Sequence, residues 1–422
     1  MIKSKLINRL KIEYPDFVLP KYGTESIAQL PHHIKYLHDL ESASTLSFER
    51  NKSKITKTIL FIVDGLGYEQ WLNNEVLNPL MKQISTKGRL RPITSMFPSS
   101  TPPSLAGFYT GLTTQEHGLL DWWMYEHKSD QIITTLPFTP FRGGERDSLL
   151  SQIPSTTLLS DEVMFHDLEA NNISTYTLVS KEYAFSAFSK LSYKESTVMP
   201  HNTITEMFNN LRDLVRKEQS SHINVYWGDI DSAGHVNGPS SKEYATQITV
   251  FFKEFERFLK NLDHAKDMGS IKIQIAADHG QIDVDPEQVI WLDDLPELTE
   301  NLDLSTNKRK LLPWGAQRDI FLKIKDNKVN ETINLLSEFL EDRAVIIKST
   351  EALSSGLFGT GTPHQDFLSR IGNLIILPTN NYTIWYRHFN DETFTFKGVH
   401  GGLTAREVLV PYTECTLADL VH

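Results

Sequence analysis

Cysteine is almost absent. Cys415 is the one cysteine in 422 residues, which excludes an internal disulfide and any metal site built from several thiolates. A bound metal would have to use mainly histidine and carboxylate ligands. Basic charge is in deficit as well: 42 Lys and Arg stand against 53 Asp and Glu, a formal net charge of −11. That balance argues against a large basic surface for nucleic acid and leaves room only for a local basic pocket. No apolar run reaches the roughly 18 residues of a transmembrane segment. The opening MIKSKLINRLKIEYPDF has basic residues but neither a continuous apolar core nor a small-residue cleavage pattern. It reads as a short amphipathic helix rather than a signal peptide, and the expected location is cytoplasmic. Internal repeats and low-complexity tracts are missing. The glycine-rich residues 356–362 lack the Lys and the strand-to-helix setting of a nucleotide P-loop, so they are assigned to a turn.

What the chain does have is an ordinary globular composition, 40% apolar and 23% charged, and enough length for one large α/β domain with insertions or for two or three units. Its organising stretch is ILFIVDGLG, residues 59–67. An unbroken apolar run must be buried on both faces, as in a parallel sheet, and Asp64-Gly65 then falls at the strand's carboxyl end, where such sheets place ligands. One Asp after a core strand is equally a helix cap. The construction recurs, however: residues 271–277 run into Asp278-His279-Gly280, and residues 223–227 are followed by Asp231 and His235. Three strands delivering carboxylates and imidazoles to one edge indicate a metal site.

Periodicity predicts helices over 68–88, 156–168, 203–216 and 245–262, with strands at 89–93 and 175–179. Pro92 confines the first of these strands to an edge or a strand end. Near the start, Thr24 is a candidate cap for a helix carrying Ile27 and Leu30. The alternation over 55–280 predicts an α/β fold, a parallel sheet covered by helices on both faces. Residues 281–395 read as an inserted cap, with a β-α-β unit across 320–347 and short strands at 374–377 and 382–386. Residues 396–422 return to the core through a closing strand at 408–410, and residues 1–54 form a lead-in packed on it.

Ser99, Ser100 and Thr101 precede Pro102 and Pro103, and a proline suits the first turn of a helix. Thr101 then lies near the N-cap. It is either a plain cap or, at a positive helix end beside metal ions, a hydroxyl that can be ionised into a nucleophile. Beyond it, Trp122, Trp123 and Tyr125 either pack in the core or line an aromatic substrate pocket. Arg142 sits in an exposed loop.

Asp64-Gly65, Thr101, His117-Gly118, Asp231 with His235, Asp278-His279-Gly280 and His400-Gly401 occur in that order. The set resembles the alkaline phosphatase superfamily, in particular its type I phosphodiesterase/nucleotide pyrophosphatase branch. The resemblance implies an alkaline-phosphatase-like mixed, mostly parallel sheet sandwiched by helices, with a smaller inserted α+β cap. It also implies two Zn²⁺ ions, with Mn²⁺ or Fe as possible substitutes. Asp231, His235 and His400 would hold one ion; Asp64, Asp278 and His279 would hold the other, with Thr101 as a further ligand that attacks the substrate. The implied reaction is hydrolysis of a phosphodiester or pyrophosphate bond in a small nucleotide-like substrate, through a covalent phospho-threonine.

Two departures bear on substrate. Pro102-Pro103-Ser104 stands where the family typically has Phe-Pro-Asn, so Ser104 is assigned to the substrate wall. Asp121-Trp122 replaces an Asp-Asn pair whose Asn holds a phosphate oxygen. No Arg near Thr101 resembles the one that monoesterases set against a dianionic phosphate, which favours a diester unless Arg142 folds in. The alternatives are a phosphomonoesterase, a phosphonate hydrolase of the same superfamily, and a catalytically silent binding module.

Overall fold

The computed structural model describes residues 2–47, 54–159, 162–217, 219–262 and 267–421; residues 48–53 of the expected lead-in lie outside these. Seven strands form a central sheet in the order Arg91–Thr94, Leu409–Thr416, Ile271–Ala276, Lys57–Val63, Ser221–Trp227, Ser174–Ser180 and Thr197–His201. Leu409–Thr416 runs antiparallel to both of its neighbours, and every other pairing is parallel. The three inner strands Lys57–Val63, Ser221–Trp227 and Ile271–Ala276 are buried along their whole length. Lys57–Val63 is apolar on both faces over residues 59–63, while the other two carry buried polar residues, His222 with Asn224 and Lys272 with Gln274, on one face. Helices Tyr68–Glu75, Pro79–Lys87, Ile204–Val215 and Lys242–Lys260 cover one face, and Leu30–Leu37, Thr101–Thr110 and Met164–Ala170 cover the other. The fold is the expected α/β sandwich.

Local differences from the expected elements have simple causes. Residues 68–88 form two helices rather than one, because Pro79 opens a second helix and disfavours helical geometry at Asn78. Ser26, not Thr24, caps the lead-in turn, its hydroxyl accepting from the Ala28 amide, while the Thr24 hydroxyl donates to the Lys21 carbonyl. The region read as helix 156–168 holds a 3₁₀ turn at Ser155–Thr157 and the helix Met164–Ala170, with residues 160 and 161 outside the described part. Strand Arg91–Thr94 is at the sheet edge, where Pro92 faces Pro411 and neither proline has an N–H to share. The closing strand runs on to Thr416, since it pairs with Ile271–Ala276 despite its polar residues.

A second seven-stranded sheet is antiparallel throughout, in the order Ala344–Lys348, Leu374–Pro378, Asp319–Leu322, Trp314–Ala316, Trp123–Glu126, Gln131–Thr134 and Thr139–Pro140. Its last three strands come from the stretch read as core, and they join where Gly315 pairs with Trp123. Within the β-α-β unit, Leu374–Pro378 inserts between Asp319–Leu322 and Ala344–Lys348.

Arg318, just before strand Asp319–Leu322, binds the second sheet to the central one. Its guanidinium meets the Glu407 carboxylate through Nε and Nη2, both at 3.0 Å, and donates to the carbonyls of Asn380 and Tyr382. Glu407 also accepts from the Gly402 amide at 2.9 Å and the Thr404 hydroxyl at 2.6 Å, which holds the loop after His400. Both partners are fully buried. Removing one leaves the other charge uncompensated, so Arg318→Ala is expected to destabilise the fold by about 3–5 kcal/mol in denaturant titrations. A loss under 1 kcal/mol would show that the pair does not anchor this junction.

Candidate active site

Strands Ile271–Ala276, Lys57–Val63 and Ser221–Trp227 are consecutive in the sheet and run parallel, so their carboxyl ends open on one edge. Asp64 follows one and Asp278-His279 another. Helix Asp229–Asn237 starts just past the third and carries Asp231 and His235 one turn apart on a common face. The main chain turns sharply after Asp64. Gly65 has φ +70°, and a Cβ there would lie 2.8 Å from the Asp231 Cα, so glycine alone lets the two strand ends close.

Six side chains form two groups: Asp64, Asp278 and His279, all buried, and Asp231, His235 and His400, half-buried. In the first, His279 Nε2 is 3.4 Å from an oxygen of Asp64 and 3.4 Å from one of Asp278. In the second, Asp231 lies 3.3 Å from His235 Nε2 and 3.9 Å from His400 Nε2. The rings of His279 and His400 stack with centroids 3.5 Å apart, so the groups adjoin.

Every imidazole in the site turns Nδ1 to a main-chain carbonyl: His235 to Gly398 at 2.8 Å, His279 to Gly280 at 3.0 Å and His400 to Ser99 at 3.1 Å. A carbonyl only accepts, so Nδ1 carries the proton and the Nε2 lone pair points into the cluster. Tyr226 donates to Asp64 and the Gln281 amide to Asp231. The Gly65 and His279 amides donate to Asp278 Oδ1 at 3.1 and 2.9 Å. Two buried oxygens, Asp64 Oδ1 and Asp278 Oδ2, have no hydrogen-bond partner.

Burial, with Asp278 and Asp231 close by, holds the Asp64 carboxyl well above the usual carboxylate range. Burial and the neighbouring His279 hold His400 well below the ordinary imidazole value. Burial alone would raise Asp231, but His235, His400 and His279 draw it below its ordinary value. Unpaired buried carboxylate oxygens beside imidazole Nε2 atoms that face into the cluster fit divalent cations.

Thr101 is the first residue of helix Thr101–Thr110, with Ser100 at the N-cap position, and its Oγ1 lies 3.1 Å from His279 Nε2. Pro102 and Pro103 carry no N–H, and the Ser104 amide already bonds the Ser100 carbonyl at 3.2 Å. Of the first four helical residues, only Thr101 therefore keeps an amide for an anion. The Ser100 hydroxyl does not cap the helix but donates to Asp121. Asp121 and its neighbour Asp319 are both fully buried. Burial and then Asp121 hold Asp319 well above its ordinary range.

A cavity of about 310 Å³ opens beside Thr101, Asp64 and Asp231. Of the residues assigned to substrate, Trp122 lines it. Trp123 is turned away and packs on Trp385 and Phe141. Tyr125 packs on Trp314 and donates to Asp130. Ser104 faces the Asp278 carbonyl at 3.0 Å, so its hydroxyl supports the strand end rather than the cavity wall. Arg142 lies over the Phe389 ring in a separate hollow. The cation in the cavity is Arg146, 3.6 Å from Glu182, which sequence reasoning passed over. Tyr183, Leu136 and Phe188 also line the cavity, and no motif marked them.

The type I phosphodiesterase / nucleotide pyrophosphatase family matches residues 58–403. Ectonucleotide pyrophosphatase/phosphodiesterase family member 3 from Rattus norvegicus is 24% identical over 245 residues, 57% of this chain and 26% of its own length. The Mus musculus protein of the same name is 22% identical over 241 residues, 56% of this chain and 26% of its own. The chain thus spans about a quarter of the length of these relatives. Murine ectonucleotide pyrophosphatase / phosphodiesterase 5 has a similar fold, with TM-score 0.62 and 15% identity over 85% of this chain and 87% of that one. A structure of an inactive threonine-to-alanine variant of the murine protein in complex with AMP is equally similar, at TM-score 0.62 and 16% identity over the same shares. Phosphonoacetate hydrolase from Sinorhizobium meliloti 1021 reaches TM-score 0.59 with 16% identity over 84% and 89%. With 346 of its residues (403 − 58 + 1) matched in one continuous span, this chain belongs to the type I phosphodiesterase / nucleotide pyrophosphatase family.

Proposed function

We propose that the chain is a metal-dependent hydrolase of phosphodiester or pyrophosphate bonds in small, nucleotide-like substrates, with Thr101 as its nucleophile. The observation that carries this reading is the position of the Thr101 hydroxyl, 3.1 Å from His279 Nε2, next to two adjoining groups of carboxylates and imidazoles. The names of the relatives and the AMP complex of an inactive threonine variant of one similar structure support it.

Two Zn²⁺ ions, or Mn²⁺ or Fe in their place, would be held by Asp64, Asp278 and His279 and by Asp231, His235 and His400, and would supply charge stabilisation for the attacking and leaving oxygens. The Thr101 Oγ forms a bond to phosphorus as the opposite P–O bond breaks, and the leaving oxygen takes the electron pair. Water then attacks the phospho-threonine, returning the hydroxyl and releasing the phosphate product. The carbonyls of Gly280, Gly398 and Ser99 keep the three imidazoles facing inward throughout. Trp122 gives the retained part of the substrate an apolar wall.

Charge in the cavity favours a diester. Beside the carboxylates that would hold metal, Asp229 and Glu182 line it, with Arg146 the cation among the described lining residues, and a monoanionic diester needs less countercharge than a dianionic monoester. The test is hydrolysis of bis-p-nitrophenyl phosphate against p-nitrophenyl phosphate by the zinc-loaded protein. A higher kcat/KM for the diester is expected. Preference for the monoester would move the reading to a phosphatase and make Arg146 the residue to replace. No turnover of either, or of a nucleotide panel, would leave a silent binding module. A cytoplasmic location goes with this reading; recovery of the protein outside the cytosol on fractionation would overturn it.

A further inference from the structure

The two ligand groups divide the reaction in space. Thr101 lies on the side of Asp64, Asp278 and His279. In an in-line displacement the breaking bond points away from the attacking oxygen, so the expelled group departs over Asp231, His235 and His400. The cavity with Trp122 and Tyr183 opens beside Thr101 and receives the part of the substrate that stays on phosphorus.

The surface on the departure side is aromatic. Phe396 packs against His235, ring centroids 4.9 Å apart, yet remains 40% exposed, and the adjoining Val236 is 63% exposed. Phe396 is firmly based. It meets Phe394 edge-on, centroids 5.7 Å apart and planes at 87°, and Phe394 sits on the small core of Ile282, Val284 and Val399. The following residue is tied down at both ends: the Lys397 amide donates to the His235 carbonyl, and the Lys397 carbonyl accepts from the Val284 amide, each at 2.9 Å. A supported aromatic ring left open beside a metal-type cluster is a surface for another flat group.

We propose that Phe396 is the leaving-group platform of this site, and that the expelled group is an alcohol carrying a flat ring. On this view the scissile bond is the P–O–C of a diester rather than the P–O–P of a pyrophosphate. The Thr101 Oγ–P bond forms, the P–O bond to the ring-bearing alcohol breaks, and the departing oxygen keeps the electron pair and, through solvent, gains the proton that the Thr101 hydroxyl gives up. The proposal rests on the function proposed above, and Lys397, exposed next to Phe396, is the residue an anionic phosphate leaving group would use instead.

The test compares two substrates with a nucleoside monophosphate as the retained group: thymidine 5′-p-nitrophenyl phosphate, which expels a ring, and ATP cleaved to AMP, which expels pyrophosphate. Both are followed with the zinc-loaded parent protein, Phe396→Ala, Phe396→Tyr and Lys397→Ala. Phe396→Ala is expected to lower kcat/KM for the aryl ester about three- to tenfold and that for ATP by a smaller factor, so that the aryl-ester-to-ATP ratio of kcat/KM falls. Phe396→Tyr is expected to restore the aryl ester. An equal loss on both substrates, no loss on either, or a loss confined to ATP in Lys397→Ala would overturn the platform while the parent enzyme remains active. A parent protein that turns over neither substrate would instead overturn the function on which the platform rests.

Discussion

Thr101→Ala is expected to abolish turnover of bis-p-nitrophenyl phosphate, with kcat falling by at least about 10³-fold, while the folded protein keeps its metal content. The side chain is almost buried, 6% exposed, and the substitution removes one methyl group along with the hydroxyl, a packing cost that is small beside the catalytic loss. The three histidines and three carboxylates are oriented by the Gly280, Gly398 and Ser99 carbonyls, Tyr226, Gln281 and the Gly65 amide, none of which depends on Thr101. Thr101→Ser keeps an oxygen at the same atom and is expected to retain measurable turnover. A covalent route also predicts a phosphorylated Thr101 on rapid acid quench of the parent. If Thr101→Ala keeps parental kcat, water attacks phosphorus directly and the hydroxyl has another role.

Chelation is the second large effect. Removing divalent cations is expected to abolish activity, restored by Zn²⁺, and to lower stability by roughly 5 kcal/mol, about 2.7 kcal/mol for each of two sites, relative to protein held at a hundredfold excess of metal over its Kd. The pH dependence follows from Asp64. In the metal-free protein its carboxyl is held well above the usual range, first by burial and then by Asp278 and Asp231. The folded chain therefore keeps a proton that the unfolded chain releases near pH 4. Metal-free stability consequently falls as pH rises from that value through the raised one. Metal binding requires the carboxylates ionised and the imidazoles neutral, so it releases protons and strengthens over the same range. The gap in Tm between loaded and chelated protein should widen from about pH 5 to pH 8. A constant gap would mean that the cations bind elsewhere.

The two large effects involve residues whose legibility in the sequence differed from that of the cavity. Asp64, Asp231 and Asp278 each follow an apolar run, and a run buried on both faces has few places to go but the interior of a parallel sheet. Thr101 was marked by its hydroxyl neighbours and the prolines after it, though Ser100 takes the cap position and turns its hydroxyl to Asp121. Ser104 was assigned to the substrate wall on motif position, but one helical turn fixes which way a side chain points, and its hydroxyl meets the Asp278 carbonyl.

What the sequence by itself determined about this protein is the three central parallel strands and the Asp64, Asp231, His235, Asp278 and His279 side chains beyond them, because these follow from local runs and from the residues just after them; His400 was marked by its resemblance to the family pattern. Only the tertiary structure decided which aromatics and which cation face the substrate cavity. Trp122 lines that cavity while Trp123 enters the second core, since successive residues of an extended chain point to opposite sides. Which side is the outside was set by pairing with Gly315, far along the chain. Arg146 reaches the cavity while Arg142 stacks on Phe389, and Arg318 finds Glu407 across the junction of the two sheets. Contacts of this kind join segments distant in sequence, so no local pattern of residues encodes them.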